Sequence, residues 1–529
     1  MSTGSVTLRV KRLINGSKNS GASRRSEIRY SWREIAIVAG LAAVLIAIAA
    51  AWFFRQGFLL YYGDAQAHLD IARRIVDSRT PGYEQIGGVW LPLLHAICLP
   101  FATNDVLWST GLAGTIPVAI CFVLAVTFFY LAAREAYDGL LPAGIVAACL
   151  ALNPNLLYLG SIPMTEVLFL AAFGVMLFSL LRFRRTQGQW LVVLCACASI
   201  AASLTRYDGW FLIPFFTLGF FICARQRRFQ AAVLFGVLAT LAPLYWFGHN
   251  LWATGDALDF YRGPYSAKAI NGNALYPGFH NWSLAAQYYT TAGRLCAGLP
   301  LLLCGVAGAV CAIWTRRFWP LLLLLLTPCF YIWSIESSGT PIHVPTLKPF
   351  SYYNTRYGIA MLPLAAFAVG AIVLAVPNRW RKWSMVLPVI AVLPWLIHPS
   401  HEHWICWKES EVNSNSRRDW TAEAAQFFKA HYRDGDGILM SFGDTAGIFA
   451  RARIPLSETL HEGNGPAWLL ATTRTDLFHP CKWAVDVMTK NDRISRSIDK
   501  ANWKKTVYRM VLEIHTKDDP VVRIYRRAD

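Results

Sequence analysis

Charge is scarce in this sequence: Asp, Glu, Lys and Arg make up 16% of its 529 residues, where a soluble domain carries roughly 25%. The charges present are clustered and leave long runs with none, which excludes a single soluble body. Apolar segments of about 18 or more residues have the length that crosses a hydrocarbon core. Internal repeats, low-complexity tracts and Cys/His spacings of the metal-binding kind are also missing. Acids are outnumbered, 32 against 50 Lys and Arg, for a net charge of +18. Such a balance can mark a nucleic-acid binder. Here the cations sit in short loops between apolar runs, where they set orientation in a membrane, and no nucleic-acid partner is expected.

What fills the chain is apolar: 55% hydrophobic residues, with 21 Trp. Eleven membrane spans are expected, at 35–54, 107–133, 139–157, 163–181, 189–204, 208–223, 230–247, 295–314, 318–335, 357–376 and 384–397. The expected fold class is therefore an α-helical polytopic membrane protein with a small C-terminal soluble α/β domain. Residues 1–34 form a basic tail, 35–398 the membrane domain and 399–529 the polar domain. The tail to Arg33 holds eight Lys/Arg and one acid, too long and polar for a signal peptide. Arg134, Arg182, Arg184, Arg185, Arg225, Arg227, Arg228, Arg316, Arg317, Arg379, Arg381 and Lys382 fall on the same set of connections as that tail, whereas 158–162 carries no charge. The positive-inside rule then makes the N-terminus cytoplasmic, and an odd number of spans puts the C-terminal domain outside, in a plasma (inner) membrane protein. In an oxidising compartment Cys406 and Cys481, the two cysteines of the polar part, could pair.

Three outer segments, 55–106, 248–294 and 336–356, are too long for turns. In the first, Ala65, Leu69, Ala72, Ile75 and Val76 have helical spacing with one apolar face, as in a helix lying along the membrane surface; 89–101 is apolar but too short to span. In the C-terminal part, 420–432 reads as a helix, 437–442 as a buried strand and 521–525 as a last strand.

Ionisable groups at span ends are functional candidates, because they are costly unless paired or wet. Asp64 and His68 stand one helical turn apart just past the first span. Glu166 opens the fourth span; Arg206 and Asp208 occupy the turn between the fifth and sixth; Arg356 and Tyr357 open the tenth. Each has a plainer explanation. Glu166 could complement a helix dipole, Arg206 and Asp208 could form a surface pair beside an aromatic anchor, Arg356 could snorkel, and His68 and His95 could be packed histidines. Their convergence on one membrane face is what points to chemistry.

The layout resembles a known family. A first span, an acid-bearing outer loop (Gly63-Asp64-Ala65-Gln66-Ala67-His68-Leu69, then Pro81-Gly82-Tyr83 and Trp90-Leu91-Pro92-Leu93-Leu94-His95), Asn153-Pro154 with Met164-Thr165-Glu166, and Arg356-Tyr357 together resemble the GT-C fold of polytopic glycosyltransferases. That fold includes the protein O-mannosyltransferases and the bacterial aminoarabinose transferases of lipid A. The mannosyltransferases carry an Asp-Glu pair where this chain has Asp64-Ala65, and the Lys-Pro-Pro run of the aminoarabinose branch has no counterpart at 82–90. The resemblance spans roughly 35–375. It implies an inverting transfer of sugar from a polyprenyl-phosphate donor to a lipid, glycan or protein acceptor on the outer face. Asp64 would be the base, and Glu166 a second acid that orients the acceptor or, with Asp64, holds a divalent cation. Arg356, Lys348, Arg262 and Arg294 would meet the leaving phosphate. His68, Glu84, His95, Arg206, Asp208 and Tyr357 complete the candidate substrate contacts. Arg356→Ala is expected to weaken donor use far more than folding. A secondary transporter, with polar groups near the midplane, and a non-catalytic envelope scaffold are the rival readings.

Overall fold

The computed structural model describes residues 28–528 except 273, 338–339, 444, 489–491, 504–505 and 518–519. Most of the basic tail, and Asp444 in the turn after the expected strand, thus lie outside the described residues. The first helix, α1 (Trp32–Gln56), ends where Gly57 takes a left-handed conformation. The outer loop that follows is built from α2 (Gly63–Arg74), α3 (Leu93–Ala102) and α4 (Asp105–Thr110). Next come α5 (Leu112–Tyr137), α6 (Leu140–Ala151), α7 (Pro154–Gly160), α8 (Thr165–Thr186), α9 (Gln189–Ser203), α10 (Asp208–Cys223) and α11 (Arg228–Thr254). Two short turns, α12 (Asp259–Arg262) and α13 (Ala267–Asn271), lead to α14 (Trp282–Ala297), α15 (Leu299–Trp314), α16 (Trp319–Ser337), α17 (Met361–Ala375) and α18 (Leu387–Ile397).

All eleven expected apolar segments are helical, but not all are simple spans. Among the described residues six helices are long and apolar enough to cross a bilayer, or up to eight spans if each of two bent pairs counts as one. The segment expected as 139–157 is such a pair, bent by 67°. Asn153 caps the new helix by accepting from the Leu156 amide, and Pro154 starts it, the residue types that favour a helix start. The second pair, α14 and α15, turns by 107° at Gly298. The span expected from 107 begins at Leu112, because Gly111 at φ 88 closes α4 and opens α5.

Helix α8 is the hub, buried along almost its whole length and packed on α5 and α9. Its two ends differ in chemistry. At one, buried Glu135 of α5 binds Arg182 and Arg185 at 2.9 and 2.8 Å, and Arg317 reaches Asp138 at 2.9 Å. The basic connections therefore gather together. Glu166 opens the other end of α8, 19 residues and so about 28 Å away at 1.5 Å per residue.

The C-terminal part is the expected small α/β domain. After α19 (Ile405–Val412) and α20 (Asn415–His431) come β1 (Ile438–Met440), α21 (Ala446–Ala452), β2 (Thr459–Leu460), α22 (Pro466–Thr473), β3 (Trp483–Val487), α23 (Arg493–Asn502), β4 (Tyr508–Ile514) and β5 (Val522–Arg527). The sheet order is β2-β1-β3-β5-β4, parallel across the first three strands and antiparallel beyond. Alternation along β1 feeds two cores: Ile438 and Met440 pack with Phe428 and Phe449, while Leu439 packs with Trp468 and Ile498, as successive side chains of a strand must. Cys406 and Cys481 belong to separate cores and are free thiols; the pairing considered above is not formed.

This domain docks on the outer loop. Asp77 accepts from the amides of Leu456 and Ser457 at 3.1 and 2.9 Å, Gln85 donates to the Gly463 carbonyl at 2.8 Å, and Arg74 lies over Phe442. The burial of α2 is wider than its single apolar face. Its apolar Ala65, Leu69 and Ala72 are buried as expected, but so are His68, Asp70 and Arg73, because α3 and the α/β domain cover it from both sides.

Candidate active site

Three acids of the site owe their positions to the start of a helix. Asp64 lies in the first turn of α2 and Glu166 in the first turn of α8, where the helix dipole favours a carboxylate. Asp208 does the same for α10. Arg356 sits in a 3-10 turn, Thr355–Ala360, that delivers the chain into α17.

These groups meet. The Arg356 guanidinium binds Asp64 through Nη2, Glu166 Oε1 through Nε at 3.2 Å and Glu409 Oε1 through Nη1 at 3.2 Å. Its backbone amide donates to Glu409 Oε2 at 3.0 Å. The planar fork rests over the rings of Tyr62 and Tyr357 at 4.9 and 5.1 Å, a stacking that arginine and not lysine provides. Glu166 Oε1 is shared with Arg206 at 3.1 Å. Arg206 also binds Thr165 Oγ1 at 2.7 Å, Asp208 at 3.3 Å and Tyr331 at 2.8 Å, and Tyr331 donates to Asp208 at 3.0 Å. One network thus runs from Asp208 to Asp64, with four carboxylates sharing two guanidinium groups.

Exposure separates the acids. The Glu166, Glu409 and Asp208 side chains are 3%, 1% and 1% exposed, whereas that of Asp64 is 42% exposed. Asp64 Oδ2 is held by Arg356, and its other oxygen takes no hydrogen bond from the described residues. Chemically, the arrangement is an open carboxylate backed by a buried ionic lattice. Asp64 and Glu166 are also the candidate cation ligands, but the Arg356 guanidinium already bridges them where a divalent ion would sit. Among the described residues no group of three or more His, Cys, Asp or Glu is placed to hold a metal. The pair does not fit a cation held between its two members.

Of the residues expected from sequence, Asp64, Glu166, Arg206, Asp208, Arg356 and Tyr357 come together. His68 and His95 lie beside them, bonded ring to ring at 2.9 Å and buried. Burial and the nearby arginines pull His68 down to about 3, so the ring stays neutral. Four expected contacts form none of the ion pairs of this network. Glu84 is exposed in a 3-10 turn of the outer loop. Arg262 pairs with Asp256 at 2.5 Å on the surface, and Arg294 and Lys348 are exposed.

Two acids were not expected. Glu409 shares the buried face of α19 with Ile405, Cys406 and Ser410, a face that its polar sequence surroundings do not single out. Burial raises the Glu409 carboxyl above its ordinary range, and Arg356 opposes the rise. Asp70, on α2, is fully buried and accepts from Trp108 Nε1 and Gln66 Nε2, both at 2.9 Å. Burial pushes its carboxyl up to about 7. Its folded value lies above the unfolded value near 4, so stability from this group is present at low pH and lost as pH rises from about 4 through 7. Asp70→Asn should therefore raise the thermal midpoint above pH 7, by a free energy on the order of 4 kcal/mol at most. That gain should shrink toward nothing near pH 4 in thermal scans of detergent-solubilised protein.

No family model matches the chain, and no curated protein does. Among solved structures the chain is similar to ArnT from Cupriavidus metallidurans in its apo state, with a TM-score of 0.54 and 15% sequence identity. The match covers 92% of this chain and 98% of that one. It spans the membrane domain and the C-terminal domain alike, and the fold is of the GT-C type.

Proposed function

We propose that the chain is a membrane glycosyltransferase that moves a sugar from a polyprenyl-phosphate donor to a hydroxyl of a lipid, glycan or protein acceptor. The site would lie on the extracytoplasmic face of a plasma (inner) membrane, since the basic connections occupy the opposite end of the bundle. The single observation carrying this reading is Asp64: one open carboxylate above an otherwise buried ion lattice. Charges gathered at the two ends of the bundle, not at mid-depth, argue against the transporter reading.

The free Asp64 oxygen takes the proton of the acceptor hydroxyl as that oxygen attacks the anomeric carbon. The bond from that carbon to the phosphate oxygen breaks, and its electron pair leaves on polyprenyl phosphate. Attack from the side opposite the departing phosphate inverts the anomeric centre. Proton uptake neutralises Asp64 and loosens its hold on Arg356 Nη2. A guanidinium N–H becomes available as phosphate charge develops, which is when it stabilises most.

Reconstitution in vesicles with a panel of polyprenyl-phosphate sugars tests the assignment. The native chain should release polyprenyl phosphate, and Asp64→Asn should release it at least 100-fold more slowly. Equal turnover by both would remove Asp64 from the chemistry, and no turnover on any donor would remove the reaction.

A further inference from the structure

We infer that Glu409, contributed by the helix leading from the last span into the α/β domain, is a positioning residue that sets the Arg356 fork against Asp64. The inference rests on the reading of Asp64 as the base. Glu409 holds Arg356 at both ends: Oε2 takes the backbone amide at 3.0 Å and Oε1 takes Nη1 at 3.2 Å. Fixing main chain and guanidinium together leaves the fork one orientation, and that orientation directs Nη2 onto Asp64 Oδ2.

The helix that carries Glu409 is itself seated by buried polar contacts. The Cys406 amide donates to Asn155 Oδ1 at 3.0 Å, and Ser410 Oγ and Tyr158 OH meet at 2.8 Å, both partners lying on α7. Tyr62 OH donates to the Cys406 carbonyl at 2.8 Å, while the Tyr62 ring lies under the Arg356 guanidinium. A closed circuit results: Asp64, its near neighbour Tyr62, Cys406, Glu409, Arg356 and back to Asp64. An acid 1% exposed on this circuit makes α19 part of the catalytic apparatus. The site is incomplete without residues beyond the last span.

Glu409→Gln, Glu409→Asp and Glu409→Ala in the full-length chain test this, with turnover and hydrogen exchange measured on each. Gln keeps the size and loses the charge, so kcat should fall about 100-fold, with the donor KM changing less than about threefold. Asp should recover part of the loss. In an Asp64→Asn background Glu409→Gln should cost nothing further, because residues acting as a unit are not additive; a full second loss would mark a merely structural role. Exchange at the Arg356 amide should quicken in the Ala variant. Native-like kcat in Glu409→Gln would overturn the inference and leave the Asp64 reading intact. Were the native chain to turn over no donor, that reading would fall, and unchanged exchange at Arg356 in Glu409→Ala would then overturn the positioning role on its own.

Discussion

Arg356→Ala is expected to abolish turnover and to destabilise the end of the bundle that holds the site by about 3–5 kcal/mol, the cost of leaving a buried partner charge unpaired. To the sequence-based expectation that donor use weakens far more than folding, the buried ion contacts add a sizeable folding cost. Arg356 touches three carboxylates, two of them almost wholly buried. Glu166 would retain Arg206 at 3.1 Å, but Glu409 would face Asp64 and Glu166 without the guanidinium between them. A lysine cannot substitute fully, since one ammonium does not reproduce a planar fork with three separate directions; Arg356→Lys should fall between. The mechanism can be isolated by a cycle: Glu409→Gln should recover part of the stability lost in Arg356→Ala, because it removes the stranded charge. Thermal unfolding in detergent measures all four forms. A wild-type midpoint for Arg356→Ala would show that the ion lattice does not hold this end together.

The helical segments were legible because the apolar runs are long and the charges between them sparse. Their bends were partly so: Asn153-Pro154 is a helix start written in residue types, whereas the 107° turn between α14 and α15 arises where Gly298 lets two apolar helices meet. The site was legible in five of its ionisable groups, since Asp64, Glu166, Arg206, Asp208 and Arg356 each interrupt an apolar run at a span end. Glu409 was not, because it lies in a polar stretch beside Glu402 and Glu411, which bind Lys408 near the surface. What distinguishes it is which face of α19 turns inward, and that depends on Asn155 and Tyr158 some 250 residues earlier. Arg262, Arg294 and Lys348 stand outside the ion network, which nothing in their local sequence marked. A cation in a long outer loop carries no mark of whether the loop folds over the site or away from it. The α2 helix shows a third limit: its apolar stripe was read correctly, but its polar residues are buried too, His68 against His95, Asp70 against Trp108 and Arg73 against the Ala102 and Thr103 carbonyls, while Arg74 lies over Phe442 of the distant C-terminal domain.

Gly358→Ala should reduce turnover nearly as far as Arg356→Ala while changing no charge. Gly358 lies two residues beyond Arg356 in the same 3-10 turn, pressed against the backbone of α14. A β-carbon there would come within 2.3 Å of the Ala292 carbonyl carbon and 2.6 Å of the Gly293 nitrogen. Backbone cannot step aside as a flexible side chain can, so the turn itself must move away from α14. Small residues let helices of a membrane bundle approach this closely. A displacement on the order of 1 Å at Gly358 carries Arg356 with it, and a misplacement of that size costs about 100-fold in rate. The loss should appear in kcat, with all four carboxylates and both arginines still present. A stability loss of roughly 1–3 kcal/mol should accompany it from overpacking. The Glu409→Gln background, not salt, separates this variant from Arg356→Ala. Each retains buried ion pairs that salt screens weakly, so neither should be rescued by ionic strength, but only Arg356→Ala should gain stability from Glu409→Gln. If Gly358→Ala kept native kcat, the rigidity of the turn would not be what sets the reach of Arg356, and the close packing of the turn on α14 would serve the fold alone.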